Sequence, residues 1–216
     1  MIEDERTAAY IASLDRPLSE KLRAIEQQAK RDDIPIIRPG ARSTLRFILA
    51  SKEPDRILEI GTAIAFSAIF MAENTAGHTR IDTIENYEKR INAARQNIRQ
   101  SGYEDRINLI EGDAVEVLCR LCDDGGKYDL IFVDAAKGQY ISYLPYCKEL
   151  LDRGGVLVSD NVLFDGDIVQ SRFAVRRRDR TIHARMREYL RALTEDTELV
   201  TTIIPAGDGI TLSVLR

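Results

Sequence analysis

The sequence predicts an α/β fold in which seven strands form one mostly parallel sheet with helices on both faces. The first observation is a strict alternation of strand and helix patterns from residue 56 to residue 159. The second is that these strand patterns are short, almost continuous apolar runs, which is typical of parallel strands buried on both faces. The third is a closing pair of strand patterns, 198–204 and 210–215, joined by a turn that contains Pro and Gly. Such a hairpin makes one strand of the sheet antiparallel.

The elements are predicted in chain order from hydrophobic spacing and boundary residues. Two short amphipathic helices, 7–14 and 18–30, precede a Pro-bounded extended segment, 34–40, and a helix, 41–50. The parallel strands are 56–60, 79–84, 107–110, 128–133 and 155–159, and the helices between them include 67–74, 87–100 and 139–151. A long polar connection, 162–180, and an arginine-rich helix, 181–193, lead to the hairpin. We expect one domain, 1–216, with N-terminal helices over 1–52 and the sheet core over 53–216.

Composition argues against a membrane-bound or secreted protein. No apolar run approaches the roughly 18 to 20 residues of a membrane span, and the N-terminus M-I-E-D-E-R is too acidic for a signal peptide. With three cysteines and two histidines a zinc site is disfavoured, and Cys119 and Cys122 lie late in a predicted helix rather than in a redox-type turn. We therefore expect a cytoplasmic protein with no membrane partner.

The stretch R-I-L-E-I-G-T-A-I-A-F-S, residues 56–67, predicts a ligand site. A buried strand ends at Gly61 and a helix pattern begins at Ser67, and in such units the ligand lies outside the carboxyl end of the strand. Glu85 ends the next strand 24 residues after Gly61, where an acid can accept hydrogen bonds from ribose hydroxyls. The G-x-G-x-x-G turn of dinucleotide sites is absent, which favours S-adenosylmethionine, a cofactor without phosphate, over a nicotinamide cofactor. The alternative is an ordinary α/β turn with an incidental Glu85.

Three oxygen-bearing side chains follow neighbouring strands: Asp134 after the fourth, and Asp160 and Asn161 after the fifth. Carboxyl ends of adjacent parallel strands lie on one rim, so we expect these side chains to converge. Two carboxylates and a carboxamide suit a hard cation such as Mg²⁺, with Mn²⁺ as a substitute. Lys137 is placed to reach the same site, where a dication would lower its pKa towards that of a general base. The alternatives are a plain turn for Asp160 and Asn161, a helix cap for Asp134 and a solvated Lys137.

Motifs in order along the chain resemble those of the cation-dependent O-methyltransferases, which include the catechol and caffeoyl-CoA methyltransferases. They are L-E-I-G-T-A, T-I-E, G-D-A, Y-D-L-I-F-V-D-A-A-K-G-Q-Y, G-G-V-L-V-S-D-N-V-L and G-D-G-I-T-L-S. The resemblance implies a Rossmann-like class I methyltransferase fold. It implies that S-adenosylmethionine, beside the Gly61 turn, is bordered by Ile37, Ser67, Glu85, Asp113, Ala114 and Asp134. It also implies that Asp134, Asp160 and Asn161 hold Mg²⁺, and that Lys137 and Asp134 act at the acceptor oxygen.

Two positions in the predicted cofactor site leave open questions. From the residues alone, Asp113 either meets the exocyclic amine of adenine or only caps a helix. Ala65 stands where related sequences often have glycine. Its methyl group is expected to crowd the methionine end of the cofactor.

The arginine-rich segment predicts the acceptor. Residues 172–191 contain eight arginines and two acids, so they carry +6 in a chain of net charge −4. The run R-R-R-D-R-T-I-H-A-R-M-R-E-Y-L is most similar to bacterial tRNA 5-hydroxyuridine methyltransferases, which form 5-methoxyuridine at the wobble position. We expect a homodimer whose partner is the tRNA anticodon loop, with phosphates bound by Arg176, Arg177, Arg178, Arg180, Arg185 and Arg187. The alternatives are a small-molecule catechol-type O-methyltransferase and a non-catalytic RNA-binding module.

Overall fold

The computed structural model describes residues 5–216, apart from the side chains of residues 5, 8 and 165. Within this part of the chain one sheet contains β1 (Arg56–Ile60), β2 (Arg80–Glu85), β3 (Ile107–Glu111), β4 (Tyr128–Val133), β5 (Leu151–Ser159), β6 (Leu199–Ile204) and β7 (Ile210–Leu215). The strand order is β3-β2-β1-β4-β5-β7-β6. β1 to β5 pair in parallel, and β7 is antiparallel to both β5 and β6. The predicted seven-stranded sheet with one antiparallel strand is confirmed.

Helices cover both faces of the sheet. They are α1 (Glu5–Ser13), α2 (Glu20–Arg31), α3 (Pro39–Lys52), α4 (Phe66–Glu73), α5 (Glu88–Ser101), α6 (Ala114–Asp123), α7 (Tyr140–Leu150) and α8 (Arg180–Glu195). The apolar sides of α2 to α5 form one core layer with Ile57 and Leu130 of the sheet, and those of α6 to α8 form the other with Leu58 and Ile131. Successive strand residues thus enter opposite layers, as the apolar strands predict. None of the helices between residues 5 and 216 is long and apolar enough to cross a membrane.

Most boundaries differ from the expected ones by one or two residues, and the differences in α3, β5 and the connection 162–180 have physical reasons or add structure. α3 begins two residues early, at Pro39, because a proline in the first helical turn loses no hydrogen bond. β5 begins at Leu151 rather than at residue 155, since Gly154 and Gly155 lie inside an irregularity of the β4 and β5 pairing and not at its boundary. The connection 162–180 contains two short 3₁₀ turns, Phe164–Val169 and Arg177–Asp179.

The carboxyl ends of β1, β4 and β5 lie side by side on one rim because these strands are neighbours. The backbone N–H of Asp134 donates to the carbonyl of Ile60 at 3.0 Å, and that of Asp160 donates to the carbonyl of Val133 at 3.0 Å. Gly61 has φ +103°, and a Cβ built there would lie 2.1 Å from the carbonyl oxygen of Asp134. The turn after β1 therefore requires glycine for its dihedral angle and for lack of space.

The turn between β6 and β7 is bonded to the residues that follow β5. Asn161 adopts φ +61°, a left-handed angle that asparagine tolerates. The next two backbone N–H groups donate to this turn, Val162 to the carbonyl of Gly209 at 3.0 Å and Leu163 to that of Asp208 at 2.8 Å. Gly209 has φ +81°, and a Cβ there would lie 2.2 Å from Cγ of Leu163. This packing brings Asp208 to the same rim as the ends of β1, β4 and β5.

Gly209→Ala is expected to lower the free energy of unfolding by about 2 to 4 kcal/mol, through left-handed strain and overlap with Leu163. Gly77→Ala is the matched control, since a Cβ there meets nothing within 4 Å, and its effect should stay below about 0.5 kcal/mol. Urea denaturation of both variants measures the difference. Equal midpoints would contradict the close packing of the turn on Leu163.

Candidate active site

A cavity of about 450 Å³ opens at the carboxyl ends of β1, β2 and β4. Its wall combines the turn after β1, the end of β2, the start of α6 and the extended segment before α3. All seven residues predicted to border the cofactor line it: Ile37, Gly61, Ser67, Glu85, Asp113, Ala114 and Asp134. Asn161, predicted as a cation ligand, also lines this cavity. The two predicted sites are therefore contiguous.

Glu85 presents a carboxylate whose orientation is fixed by three backbone donors. Its Oε2 accepts from the N–H of Ala63 at 2.9 Å, and its Oε1 accepts from those of Asn86 at 3.0 Å and Tyr87 at 3.1 Å. The residue is only 8% exposed. A carboxylate has about four lone-pair positions, so the fixed group can still accept a hydrogen bond from a ligand hydroxyl.

The structure bears on the two positions that the sequence left open, Asp113 and Ala65. Asp113 is the N-cap of α6, accepting from the N–H of Val115 at 2.9 Å, and it also lines the cavity, so both of its proposed positions are compatible. Ala65 has φ +66° and is fully buried in the core rather than among the lining residues. Crowding of the cavity by its methyl group is therefore not supported. Alanine at this position lowers the stability of the fold instead, because a residue with a Cβ atom is strained at a left-handed backbone angle.

A buried carboxyl, Glu59, lies beneath the cavity and was not predicted as a site residue. It is 0% exposed, and its Oε2 accepts from Oγ1 of Thr83 at 2.5 Å. Thr83 in turn pairs with Thr62 at 2.6 Å between the hydroxyl oxygens. Burial raises the pKa of Glu59 to about 7, against the lowering effect of hydrogen bonds from Ser67 and Thr83. In the sequence, Glu59 can be recognised as a candidate because it is an acid among the apolar residues of a predicted buried strand.

Asp134, Asp160 and Asn161 converge as predicted. Nδ2 of Asn161 donates to Oδ1 of Asp134 at 3.0 Å, and the backbone N–H of Asn161 donates to Oδ1 of Asp160 at 2.7 Å. Oδ2 of Asp160 is buried and has no hydrogen-bond partner among the described residues. An orphaned carboxylate oxygen in a buried site is costly unless a cation meets it.

Burial is the main cause that raises the pKa of both Asp134 and Asp160. The charge of Asp134 raises the pKa of Asp160 further, whereas the hydrogen bond from Asn161 and the charge of Lys137 oppose the shift of Asp134. Within residues 5–216, no cluster of three or more His, Cys, Asp or Glu side chains has an arrangement suited to a metal. The candidate set is instead two carboxylates and a carboxamide, the oxygen donors that a hard cation prefers.

Lys137 begins a short 3₁₀ turn, Lys137–Gln139, that precedes α7. The sequence predicts that the Lys137 side chain reaches the cation site. In the structure its Nζ donates to Oδ2 of Asp208 at 2.8 Å and lies 5.0 Å from the ring centroid of Phe164. Asp208 is 3% exposed and was not named as a site residue. In the sequence, Asp208 can be recognised as the acid between the two glycines of the G-D-G turn.

The six arginines predicted to bind RNA fall into two groups. Arg176, Arg177 and Arg178 are exposed in and before the 3₁₀ turn that leads to α8. The other three donate to backbone carbonyls: Arg180 to Phe173 and Val175, Arg185 to Gly138, and Arg187 to Ile168. Part of the cluster thus holds the connection 162–180 and the Lys137 turn against α8. The first three form an exposed cationic strip.

Residues 9–216 match the family model described as O-methyltransferase. The chain belongs to the O-methyltransferase family. It is 31% identical over 167 residues to a catechol O-methyltransferase of Mycobacterium tuberculosis, which covers 77% of this chain and 69% of that protein. A caffeoyl-CoA O-methyltransferase of Stellaria longipes is 28% identical over 176 residues, which covers 80% of this chain and 73% of that protein.

Two solved methyltransferase structures resemble nearly the whole chain. TomG of Streptomyces achromogenes, involved in tomaymycin synthesis and solved in complex with S-adenosylmethionine, has a TM-score of 0.84 at 26% identity over 100% of both chains. An S-adenosylhomocysteine-bound methyltransferase of Podospora anserina has a TM-score of 0.85 at 27% identity, covering 98% of this chain and 94% of that one. The predicted methyltransferase fold and the resemblance to catechol and caffeoyl-CoA O-methyltransferases are confirmed. The narrower resemblance to tRNA methyltransferases stays a prediction.

The raised pKa of Glu59 makes the stability of this O-methyltransferase depend on pH. The folded protein keeps the Glu59 proton up to about pH 7, whereas the ordinary value of the unfolded chain is 4.5. The contribution of Glu59 to the free energy of unfolding should therefore fall by roughly 3 kcal/mol as pH rises through this window. In Glu59→Gln, whose side chain is neutral in both states, that fall should disappear.

Denaturant titrations between pH 4 and 8, compared for the parent and Glu59→Gln, measure this effect. Glu195→Gln, which changes an exposed acid, is the control and should leave the pH dependence unchanged. Parallel curves for the parent and Glu59→Gln would contradict a buried carboxyl at position 59.

Proposed function

We propose that this enzyme transfers the methyl group of S-adenosylmethionine to an oxygen of a chelating acceptor, and that the acceptor is 5-hydroxyuridine in a tRNA anticodon loop, giving 5-methoxyuridine. The observation that carries the chemistry is the shared position of Asp134. It lines the cofactor cavity and accepts from Asn161 at 3.0 Å, so methyl donor and acceptor would meet at one rim. Fixed placement of two reactants is a large part of such catalysis.

The cavity wall supports the assignment of S-adenosylmethionine to this site. Glu85, held by three backbone donors, would accept hydrogen bonds from the ribose hydroxyls, and Asp113 would meet the exocyclic amine of adenine. Gly61 and Ser67, which line the cavity, would border the methionine end. The sequence after β1 lacks the G-x-G-x-x-G turn of a pyrophosphate cradle, which fits a cofactor without phosphate.

Asp134, Asp160 and Asn161 would hold a divalent cation, Mg²⁺ or Mn²⁺. Oδ2 of Asp160, which has no hydrogen-bond partner in the described part of the chain, and the raised pKa values of the two carboxyls support this assignment. When bound, the cation would stabilise the deprotonated form of an acceptor hydroxyl. Lys137, on the same rim and paired with Asp208, would steer the departing proton, and its ammonium would face the developing oxygen anion.

The exposed arginines favour RNA as the acceptor. Arg176, Arg177 and Arg178 precede α8, whose first turns adjoin the Lys137 turn through the bond from Arg185 to the carbonyl of Gly138. Phosphates bound along this strip would set a loop base over the acidic rim. 5-Hydroxyuracil offers a hydroxyl and a neighbouring carbonyl oxygen, as a catechol offers two adjacent hydroxyls.

The second candidate is a small-molecule catechol-type O-methyltransferase. It is favoured by the names of the relatives, the Mycobacterium tuberculosis catechol enzyme at 31% identity among them. The catalytic rim would be the same for either acceptor. The two candidates differ in what the arginine strip does, because a small catechol has no phosphates for it to bind.

Turnover is expected to stop in EDTA and to return with Mg²⁺ or Mn²⁺. Asp160→Asn should lower Mn²⁺ affinity by calorimetry at least about 10-fold, since a charged ligand is lost. Asp129→Asn, at the amino end of the same strand that leads to Asp134, is the control and should bind Mn²⁺ as the parent does. Full turnover in the presence of EDTA, or unchanged Mn²⁺ affinity in Asp160→Asn, would contradict the proposed cation site.

The acceptor is tested with hypomodified tRNA and with a simple catechol, by mass spectrometry of the products. The triple variant Arg176→Ala, Arg177→Ala, Arg178→Ala should bind tRNA more weakly and with a shallower dependence of log affinity on log salt. The slope should change by roughly one unit for each phosphate that the variant no longer binds. Cofactor affinity should not change.

The control triple is Arg23→Ala, Arg120→Ala, Arg153→Ala, which removes the same charge from exposed positions elsewhere. If the first triple variant methylates tRNA as well as the parent at physiological salt, or if the catechol is turned over far more efficiently than tRNA, the acceptor is not RNA. In either case the O-methyltransferase chemistry would stand.

A further inference from the structure

We propose that Asp208 is the positioning residue that holds the Lys137 ammonium over the acceptor site. This inference rests on the proposed role of Lys137 in methyl transfer and does not depend on whether the acceptor is RNA or a catechol. Asp208 acts through Lys137 rather than on the reacting atoms.

The ion pair itself is short and sheltered. Nζ of Lys137 and Oδ2 of Asp208 are 2.8 Å apart, and their side chains are 24% and 1% exposed. On another side the ammonium meets the ring of Phe164, with its centroid 5.0 Å from Nζ. A lysine side chain has four rotatable carbon bonds and little preference of its own, so two fixed neighbours are needed to give the ammonium one position.

The carboxylate is held by backbone that leaves it little freedom. The carbonyl of Asp208 accepts from Leu163 at 2.8 Å, and the carbonyl of Gly209 accepts from Val162 at 3.0 Å. These donors directly follow Asn161. The turn between β6 and β7 is thereby bonded to the two residues that follow the candidate cation ligands Asp160 and Asn161. A shift of this turn would therefore also move the end of β5 and these ligands.

Gly207 fastens the other side of this turn. A Cβ at Gly207 would lie 3.5 Å from Cβ of Arg38 and 3.7 Å from the backbone nitrogen of Ala41, so the turn also packs on the start of α3. α3 follows the extended segment that forms part of the cofactor cavity. The turn that contains Asp208 is thus held on two sides, by the start of α3 and by the residues that follow Asn161.

A purely structural ion pair is the competing explanation. The chain offers a comparison in Lys148 and Asp196, which are 2.5 Å apart with side chains 24% and 18% exposed. That pair joins α7 to the residue after α8, whereas Lys137 directly follows Asp134, Ala135 and Ala136 of the cavity wall. The Lys137 and Asp208 pair has the same chemistry but lies on the rim beside Asp134, whose pKa the Lys137 charge lowers.

The test is a double-mutant cycle with Asp208→Asn, Lys137→Gln and the double variant, each assayed on the acceptor that the parent methylates. Asp208→Asn keeps the shape of the side chain but removes its charge. We expect it to lower kcat about 10- to 100-fold, the size expected for a misplaced catalytic group, with KM for S-adenosylmethionine unchanged within twofold. In the Lys137→Gln background the same substitution should have no further effect on kcat.

Asp196→Asn is the matched control and should leave kcat and both KM values at the parent level. Calorimetry with S-adenosylhomocysteine and thermal unfolding accompany each variant, so a loss of folding is distinguished from a loss of positioning. If Asp208→Asn does not fold, Asp208→Glu replaces it, because the charge is kept but displaced by one methylene group, and kcat should again fall only when Lys137 is present.

The outcomes separate this inference from the proposed function. An equal loss of kcat in the parent and the Lys137→Gln backgrounds, or a loss matched by weaker S-adenosylhomocysteine binding, would overturn the role of Asp208 while leaving that of Lys137. Parent-level kcat in Lys137→Gln would overturn both. Parent-level kcat in Asp208→Asn would overturn the inference alone.

Discussion

The close approach of Gly61 to the backbone of Asp134 is the constraint on which the site depends. β1 and β4 are hydrogen-bonded neighbours, and the turns that leave them pass so closely that no side chain fits at Gly61. The same turn directs the N–H of Ala63 at Glu85. One backbone path thus sets both the wall of the cavity and the distance from that wall to the acidic rim. Under the proposed function, a displaced turn would move the methyl donor away from the acceptor.

Carboxyl groups collect at and beneath the rim, where little water reaches. Glu59, Asp134, Asp160 and Asp208 are all buried or nearly so, and burial raises the pKa of the first three. Lys137 compensates Asp208, but Oδ2 of Asp160 keeps no partner among the described residues. A fold that collects carboxylates in this way is less stable than one with apolar side chains there. A divalent cation held as proposed by Asp134, Asp160 and Asn161 would offset this loss of stability.

The arginine segment serves two purposes in the structure. Arg180, Arg185 and Arg187 bind backbone carbonyls and hold the connection 162–180 and the Lys137 turn against α8. A guanidinium satisfies such carbonyls well because it presents several donors in one plane. The arginines before α8 stay exposed to solvent. The net charge of this segment is therefore larger than the charge that is available to bind a partner.

The sequence by itself determined the parallel sheet with one antiparallel strand and the convergence of Asp134, Asp160 and Asn161. Both follow from local patterns, because strand ends are visible in the chain and parallel strands bring their ends to one rim. Among the predicted residues of the cavity wall, Ile37, Ser67 and Ala114 came only from the family resemblance. Only the tertiary structure decided the partner of Lys137, which lies 71 residues away in a turn placed by the insertion of β7 between β5 and β6. It also decided which arginines remain exposed and how strongly Glu59 is buried. Such properties depend on contacts between distant segments, and no local spacing encodes them.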